Sequence, residues 1–410
     1  MFIAIGRSTL LIIVSFVSFV GSFWSIRVAM ADSSSEKDSL TDRRTAVALV
    51  PADSKNWQRL ARLQQQNDVS SLAAYTRATE VNPLDAGAWI DMGLEREINQ
   101  DLRSAEATLL HAATLSREYV PRWTLLNFYF RRSDPAKFWP WARQALEIGN
   151  GDLSPIFRMA WALTADSAQI DRAMLPDRPT VLGQYLIWLT SAGKLEDAAR
   201  IFGRLIGKAG QEQSSALEYY CNTQLSLGHV RAAKTAWEGM AARHLVPADD
   251  ASPNGISIDT LLTNGRFTHD LLNTGFDWRR VSMDGVFIRP NFPGLRINLS
   301  GKQPEACELI SQYVAVESSR KYELSYEYET SGIAPASGLS WRVLDAKTGT
   351  EFTRNPQNLA REKTGWESIT FVTPGEVSGG RLILYYQRTL GTTRINGWLQ
   401  LKQVALRAAN

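Results

Sequence analysis

The sequence predicts a multidomain α plus β protein: an N-terminal transmembrane or signal helix, an α-helical repeat array, then an all-β sandwich. Three observations carry this. Nineteen residues without a charge, Ser8 to Ile26, lie near the start. Large aromatics then recur at a near-constant interval: Trp57, Trp89 and Trp123 stand 32 and 34 residues apart, with Phe157 a further 34 on. From about Val246 the helical period stops and apolar and polar residues alternate. A chain of 410 residues, 44% hydrophobic and 21% charged, has material for two or three cores. Its net charge of +3 is dispersed: residues 251–410 hold 18 Lys/Arg against 15 Asp/Glu, and the remainder holds 27 of each. No basic block marks a nucleic-acid partner. Cys221 and Cys307 lie far apart without metal-ligand or redox spacing and read as two free buried thiols.

The apolar run is long enough, as a helix of about 28 Å, to cross a bilayer core. Arg7 precedes it and Arg27 follows. Positive charge at the first end favours the cytoplasm and sends the remaining chain outward. A second reading stands beside the anchor at residues 8–26. Ala29-Met30-Ala31 has the small-x-small form of a signal-peptidase site, and Asp32 would then begin the mature chain. Both readings export the bulk of the protein: anchored in a bacterial inner membrane, or released behind Ala31. Residues 1–31 are thus anchor or signal, and 32–53 are expected to be a polar, flexible tether.

Residues 54–245 read as five or six helical hairpins. In NPLDAGAWIDMGLEREINQDLRSAEATLLHAATL, Trp89, Met92, Gly93, Ala105, Leu109 and Ala112 alternate large and small on facing helices. This resembles the tetratricopeptide pattern, in which small residues admit close helix approach and large ones fill the space beside the next pair. Gly193, Leu195, Ala198 and Phe202 repeat it, as do Gly228, Val230, Ala233 and Trp237 thirty-five residues on. An irregular unit is expected near 165–180, where Pro176 and Pro179 cut a helix short. Trp57, Trp89 and Trp123 read as core knobs, and His111, His229 and His244 as surface or helix-end residues. The resemblance implies a concave groove that binds a protein partner.

VPADDASPNGIS supplies a linker over 246–257, and 258–410 is expected to be the sandwich. In KYELSYEYET, Tyr322, Leu324, Tyr326 and Tyr328 share one face, with Glu323, Ser325, Glu327 and Glu329 on the other. GLSWRVLDAKTGTEF reads as strand, turn, strand; CELISQYVAVES, WESITFVTP, RLILYYQR and GWLQLKQVALR bring the expected total to six to eight. LLTNGRF followed by GFDW, the central hairpin, and the closing INGWLQLKQVALR together resemble galactose-binding-like jelly rolls found among carbohydrate-binding modules. That family's last strand usually carries a central acidic residue; this chain has Gln400 and Lys402 there. The resemblance implies a glycan partner and, with the helical array, work in a bacterial envelope alongside polysaccharide assembly or export. It also implies a structural calcium ion, for which Asp259, Asn264 and Asp277 could supply oxygens.

Candidate glycan residues follow from strand alternation. On the last strand Leu399, Leu401, Val404 and Leu406 point inward if a bulge falls near Lys402, which turns Trp398 and Gln400 outward. On RLILYYQR, inward Leu382, Leu384 and Tyr386 leave Arg381, Tyr385 and Gln387 outward. Were the two strands neighbours, Trp398, Tyr385, Arg381, Gln387 and Gln400 would form one polar-aromatic face suited to a pyranose. The alternative is an ordinary solvated face. No nucleophile-elbow, zinc-protease, P-loop or dinucleotide motif occurs. Glu327 and Glu329, about 7 Å apart along one face, could form an acid/base pair, and His269 with Asp270 is a lone pair without a nucleophile. The expectation is a non-catalytic scaffold with no resident cofactor.

Overall fold

A computed structural model describes residues 7–247, 260–353 and 357–409. Most of the expected linker, and Asp259, lie outside them. The chain forms two compact units, Met1–Pro176 and Asp177–Asn410.

The first unit is helical throughout. The apolar run lies within α1 (Arg7–Ser35), followed by α2 (Leu40–Leu49) and the hairpins α3–α4 (Ser54–Gln66, Leu72–Val81), α5–α6 (Ala86–Ile98, Leu102–Leu115), α7–α8 (Tyr119–Arg131, Pro135–Ile148) and α9–α10 (Ser154–Leu163, Ser167–Ala173). The sequence period is visible at atomic level: Trp57 Nε1 donates to Pro51 O, and Trp89 Nε1 to Pro83 O, each at 2.9 Å. A Cβ on Gly93 would meet the Leu109 side chain, Cγ at 2.7 Å, so the small residue is what lets α5 and α6 close. The hairpin turns share one device, a left-handed residue at Gln100 (φ 63°) and Ser133 (φ 51°). There the next N–H reaches back five residues, Asp101 to Arg96 O at 2.9 Å and Asp134 to Tyr129 O at 3.1 Å. The irregular unit is α9–α10, whose second helix has seven residues.

The segment expected as a flexible tether is instead largely helical. Ala31, Ala46 and Val50 form a small core with Val28 and Leu49, and Ser35 is buried. Arg27 Nη2 donates to Leu49 O at 2.7 Å. Its polar composition hid a hairpin because only one narrow apolar stripe is needed to pair two helices.

The second unit holds α11 (Pro179–Ser191), α12 (Leu195–Ile206), α13 (Ser214–Ser226) and α14 (Val230–Ala242), then the sandwich. The strands are β1 (Arg279–Arg280), β2 (Val286–Pro290), β3 (Leu295–Ser300), β4 (Ala306–Val314), β5 (Lys321–Ser331), β6 (Leu339–Asp345), β7 (Gly365–Val372), β8 (Gly380–Gln387) and β9 (Asn396–Ala408). One antiparallel sheet has the order β1-β4-β8-β6; the other runs β2-β3-β9-β5-β7. Trp278, Trp341, Tyr326 and Phe267 interlock between the sheets, with ring centroids 5.5 to 6.1 Å apart. The hairpin β2–β3 was not among the expected strands, because Pro290 and Pro293 interrupt its pattern. The expected strand after β6 is reduced to a bridge between Glu351 and Leu344.

LLTNGRF forms a turn that serves the sheet. Leu261 N–H donates to Leu406 O at 2.9 Å, and Val404 N–H to Gly265 O at 2.7 Å. These bonds continue β9's ladder past the last residue paired with β3. Phe267 and Trp278 are buried in the core, and Trp278 Nε1 donates to Asn264 O at 3.1 Å.

The helices and the sandwich of this unit meet at residues 274–279. Asn222 of α13 accepts from Gly275 N–H at 2.9 Å and Arg279 Nη2 at 2.8 Å, and donates to Thr274 Oγ1 at 2.6 Å. Phe276 packs beside Trp237 of α14 with Lys234 Nζ 5.3 Å above its ring. Gly275 has φ 52°, and a Cβ there would enter the Trp237 indole. Gly275→Ala should therefore destabilise the protein by about 1–3 kcal/mol through strain and overpacking. Denaturant titration followed by tryptophan fluorescence measures this, and an unchanged midpoint would contradict the contact.

Candidate functional site: the outer face of the five-stranded sheet

The expected alternation holds on both strands that supply the candidate residues. Leu382, Leu384 and Tyr386 of β8 face the core, as do Leu399, Leu401, Val404 and Leu406 of β9. The register between β5 and β9 shifts from Glu327↔Gln403 to Tyr328↔Leu401, leaving Lys402 as the extra residue. That bulge is what keeps both halves of β9 facing inward.

The single polar-aromatic face does not form. β8 belongs to the four-stranded sheet and β9 to the five-stranded one, so the strands are not neighbours. Arg381, Tyr385 and Gln387 lie on the outside of one sheet; Trp398 and Gln400 lie on the outside of the other. Alternation along a strand decides which side faces the core, but says nothing of which sheet the strand joins.

The β8 residues are engaged locally. Arg381 Nη2 donates to both carboxylate oxygens of Glu308, at 2.6 and 2.8 Å, and to Ser311 Oγ at 3.1 Å. Arg342 Cζ sits 4.2 Å above the Tyr385 ring. Arg279 of β1, held by Asn222, lies 4.9 Å from the Tyr313 ring centroid. This is a face of satisfied cross-strand pairs.

The outer face of the five-stranded sheet is built differently. One row across it runs Phe287, Asn298, Trp398, Ser331; the next runs Arg289, Arg296, Gln400, Glu329. Phe287 is 53% exposed and Trp398 is half-buried. They stand two strand spacings apart, about 10 Å. Arg296 Cζ lies 3.5 Å from the Trp398 ring centroid, so one indole face carries a flat guanidinium. Gln400 is only 3% exposed, and its Oε1 accepts from Asn291 Nδ2 at 2.7 Å, so it anchors the β2–β3 turn instead of meeting a ligand. A Cβ on Gly294 would come within 2.7 Å of Gln400 Nε2. Sequence reasoning missed Phe287, Arg289, Arg296 and Asn298, whose alternation with Val286, Ile288, Leu295, Ile297 and Leu299 was the available signal.

Glu327 and Glu329 lie on the same open face; Glu329 accepts from Thr364 Oγ1, and Lys402 Nζ donates to that hydroxyl at 2.9 Å. In the first unit, a separate groove of about 560 Å³ is lined by Tyr75, Asp91, Leu94, Glu97, Ile98 and Arg131. Ile98 is 61% exposed there, and Glu97 pairs with Arg131 and Arg132 at 2.6 and 3.0 Å.

Of the residues considered for calcium, Asn264 and Asp277 do not fit it. Asn264 Oδ1 accepts from Thr268 N–H at 2.9 Å, Asp277 Oδ1 accepts from Trp278 N–H, and Asp277 Oδ2 faces His269 Nε2 at 3.7 Å. Oxygens turned to backbone N–H groups and an imidazole alongside do not make a hard-cation cage. Among the described residues no group of three or more His, Cys, Asp or Glu gathers in metal-binding geometry.

Burial pushes the Asp277 carboxyl up to about 6, the neighbouring His269 opposing. The folded state then holds this proton more tightly than the unfolded chain, whose carboxyl titrates near about 3.9. The stability contributed is complete below that value and is lost as pH rises through about 6. Asp277→Asn should flatten the fall in melting temperature between about pH 4 and 6. Scanning calorimetry across that range checks it, and an unaltered pH profile would refute the assignment.

No family model matches the sequence, and no curated protein matches it. Several solved structures are similar to part of it. One described as a family 16 carbohydrate-binding module is 17% identical, covering 30% of this chain and 84% of that one, with a TM-score of 0.23. A structure described as CBM4 is 13% identical over 36% of this chain and 99% of its own, TM-score 0.28. YrrB, described as a TPR protein with an unusual peptide-binding site, is 14% identical over 50% and 93%, TM-score 0.26. Tetratricopeptide and carbohydrate-binding-module structures, the two fold classes expected from sequence, are both among those similar to the chain.

Proposed function

We propose that this protein is an exported, membrane-anchored, non-catalytic adaptor whose five-stranded sheet binds glycan and whose helical array holds a protein partner. One observation carries the glycan reading. Phe287 and Trp398 stand in one row on an outer sheet face with the Asn298 amide between them. Aromatic surface stacks on the apolar face of a pyranose, and a carboxamide both donates to and accepts from hydroxyls. Their separation suits a short stretch of chain lying across the strands. The groove around Ile98 and Tyr75 supports a peptide-like partner, its apolar floor flanked by paired charges.

Residues Leu10–Ser35 are long and apolar enough to cross a membrane. The anchor is favoured over a cleaved signal because α1 runs unbroken through Ala29-Met30-Ala31, with Ala31 1% exposed against α2. Intact-mass measurement of the membrane-extracted protein should recover residues 1–31; a mature chain beginning at Asp32 would overturn the anchor.

For the glycan reading, a polysaccharide panel is titrated against the full-length protein in detergent. Trp398→Ala and Phe287→Ala should each weaken binding roughly ten- to hundredfold, the loss of one stacked ring. Absence of any bound glycan sinks the reading, as does binding that survives both substitutions. Binding lost only with Tyr385→Ala would move the site to the opposite sheet.

A further inference from the structure

Resting on that glycan site, we infer that its ligand is an acidic polysaccharide, one carrying carboxylates on its sugar rings. Some arginines of the sandwich are engaged without a carboxylate, Arg279 by Asn222 and Arg342 over the Tyr385 ring. Arg320, Arg361, Arg381, Arg388 and Arg394 each hold a carboxylate of this chain: Glu317, Glu367, Glu308 and, for the last two, Glu305. Arg280, Arg289 and Arg296 hold none among the described residues, and they gather at one side of the proposed site.

Their placement is unfavourable without a ligand. Arg289 and Arg296 are direct cross-strand partners on the outer face of β2 and β3, where like charges repel. The nearest acid along their row is Glu329, beyond Gln400 and about 10 Å from Arg296 in register. That carboxylate already accepts from Thr364. Beside β2, a cavity of about 260 Å³ is lined by Arg280, Ser282, Phe287 and Arg289, and no carboxylate lines it. A guanidinium recognises a carboxylate through two parallel charge-assisted N–H bonds, which are stronger than the same bonds made to neutral sugar hydroxyls. Arg296 is preorganised for this because its guanidinium rests on Trp398. One ring contact and one charged contact are thereby joined at a single point.

A uronate chain lying along the row from Trp398 to Phe287 would place ring faces on the aromatics and carboxylates toward Arg296 and Arg289. The neutral alternative uses the same aromatics and leaves the arginines idle. A generic polyanion uses the arginines and leaves the aromatics idle. These three cases separate experimentally.

The full-length protein is titrated calorimetrically with alginate oligomers, with the same oligomers after carboxyl reduction, and with polyphosphate. Alginate should bind, the carboxyl-reduced oligomer at least about tenfold more weakly for want of the charge-assisted contact, and polyphosphate more weakly than alginate because it leaves the aromatic rings idle. Arg289→Gln and Arg296→Gln should each remove most of the preference for alginate while leaving the melting temperature in place. Equal binding of alginate and its reduced form overturns the inference and leaves the glycan site standing. Binding of neither overturns both. Polyphosphate binding as tight as alginate, insensitive to Phe287→Ala, shows a face that reads charge alone and also overturns the inference.

Discussion

The second unit turns on one carboxamide. Asn222, on a helix, accepts two N–H groups and donates to a third partner, all within the 274–279 segment of the sandwich. A side-chain amide has two donors and one doubly accepting oxygen, so this set nearly saturates it. Because the acceptor oxygen takes Arg279, the first strand of the four-stranded sheet is fixed to α13. Gly275 lies so close to Trp237 that only a residue without Cβ is accommodated. Helices and sheet therefore form one compact unit from Asp177 onward, and the change from helical to alternating pattern near Val246 is not a break in the packing.

That attachment gives the two sheets different fates. The four-stranded sheet engages its outer residues internally: Arg279 through Asn222, Arg381 through Glu308, Tyr385 under Arg342. The five-stranded sheet leaves Phe287, Arg289, Arg296 and Trp398 without carboxylate or apolar closure. Gln400, buried on its outer side, serves the β2–β3 turn. On that face Arg289 and Arg296 are cross-strand partners of like charge.

Much of this was legible in the residues. Trp57 and Trp89 announced a repeat, and the structure returns it as the same indole-to-carbonyl bond made twice. The alternation of Leu399, Leu401, Val404 and Leu406 required a bulge at Lys402, and the register has one there. Asn264-Gly265 lies in a turn beside the buried Phe267 and Trp278. Other readings failed for physical reasons. Residues 32–53 looked too polar to fold, but a pair of helices needs only a thin apolar seam. The β2–β3 hairpin was hidden by two prolines at its turn, although its strands alternate clearly once seen.

The sequence by itself determined the local periods, and therefore the order of helix, helical array and sandwich and which side of each strand is buried. Those properties depend on residues a few positions apart, whose side chains are placed by helix and strand geometry alone. Only the tertiary structure decided which strands share a sheet. That choice separated Trp398 from Arg381 and Tyr385, and brought it beside Arg296 and Phe287, more than a hundred residues earlier in the chain. Strand pairing is set by long-range packing of whole faces, and no local pattern carries it.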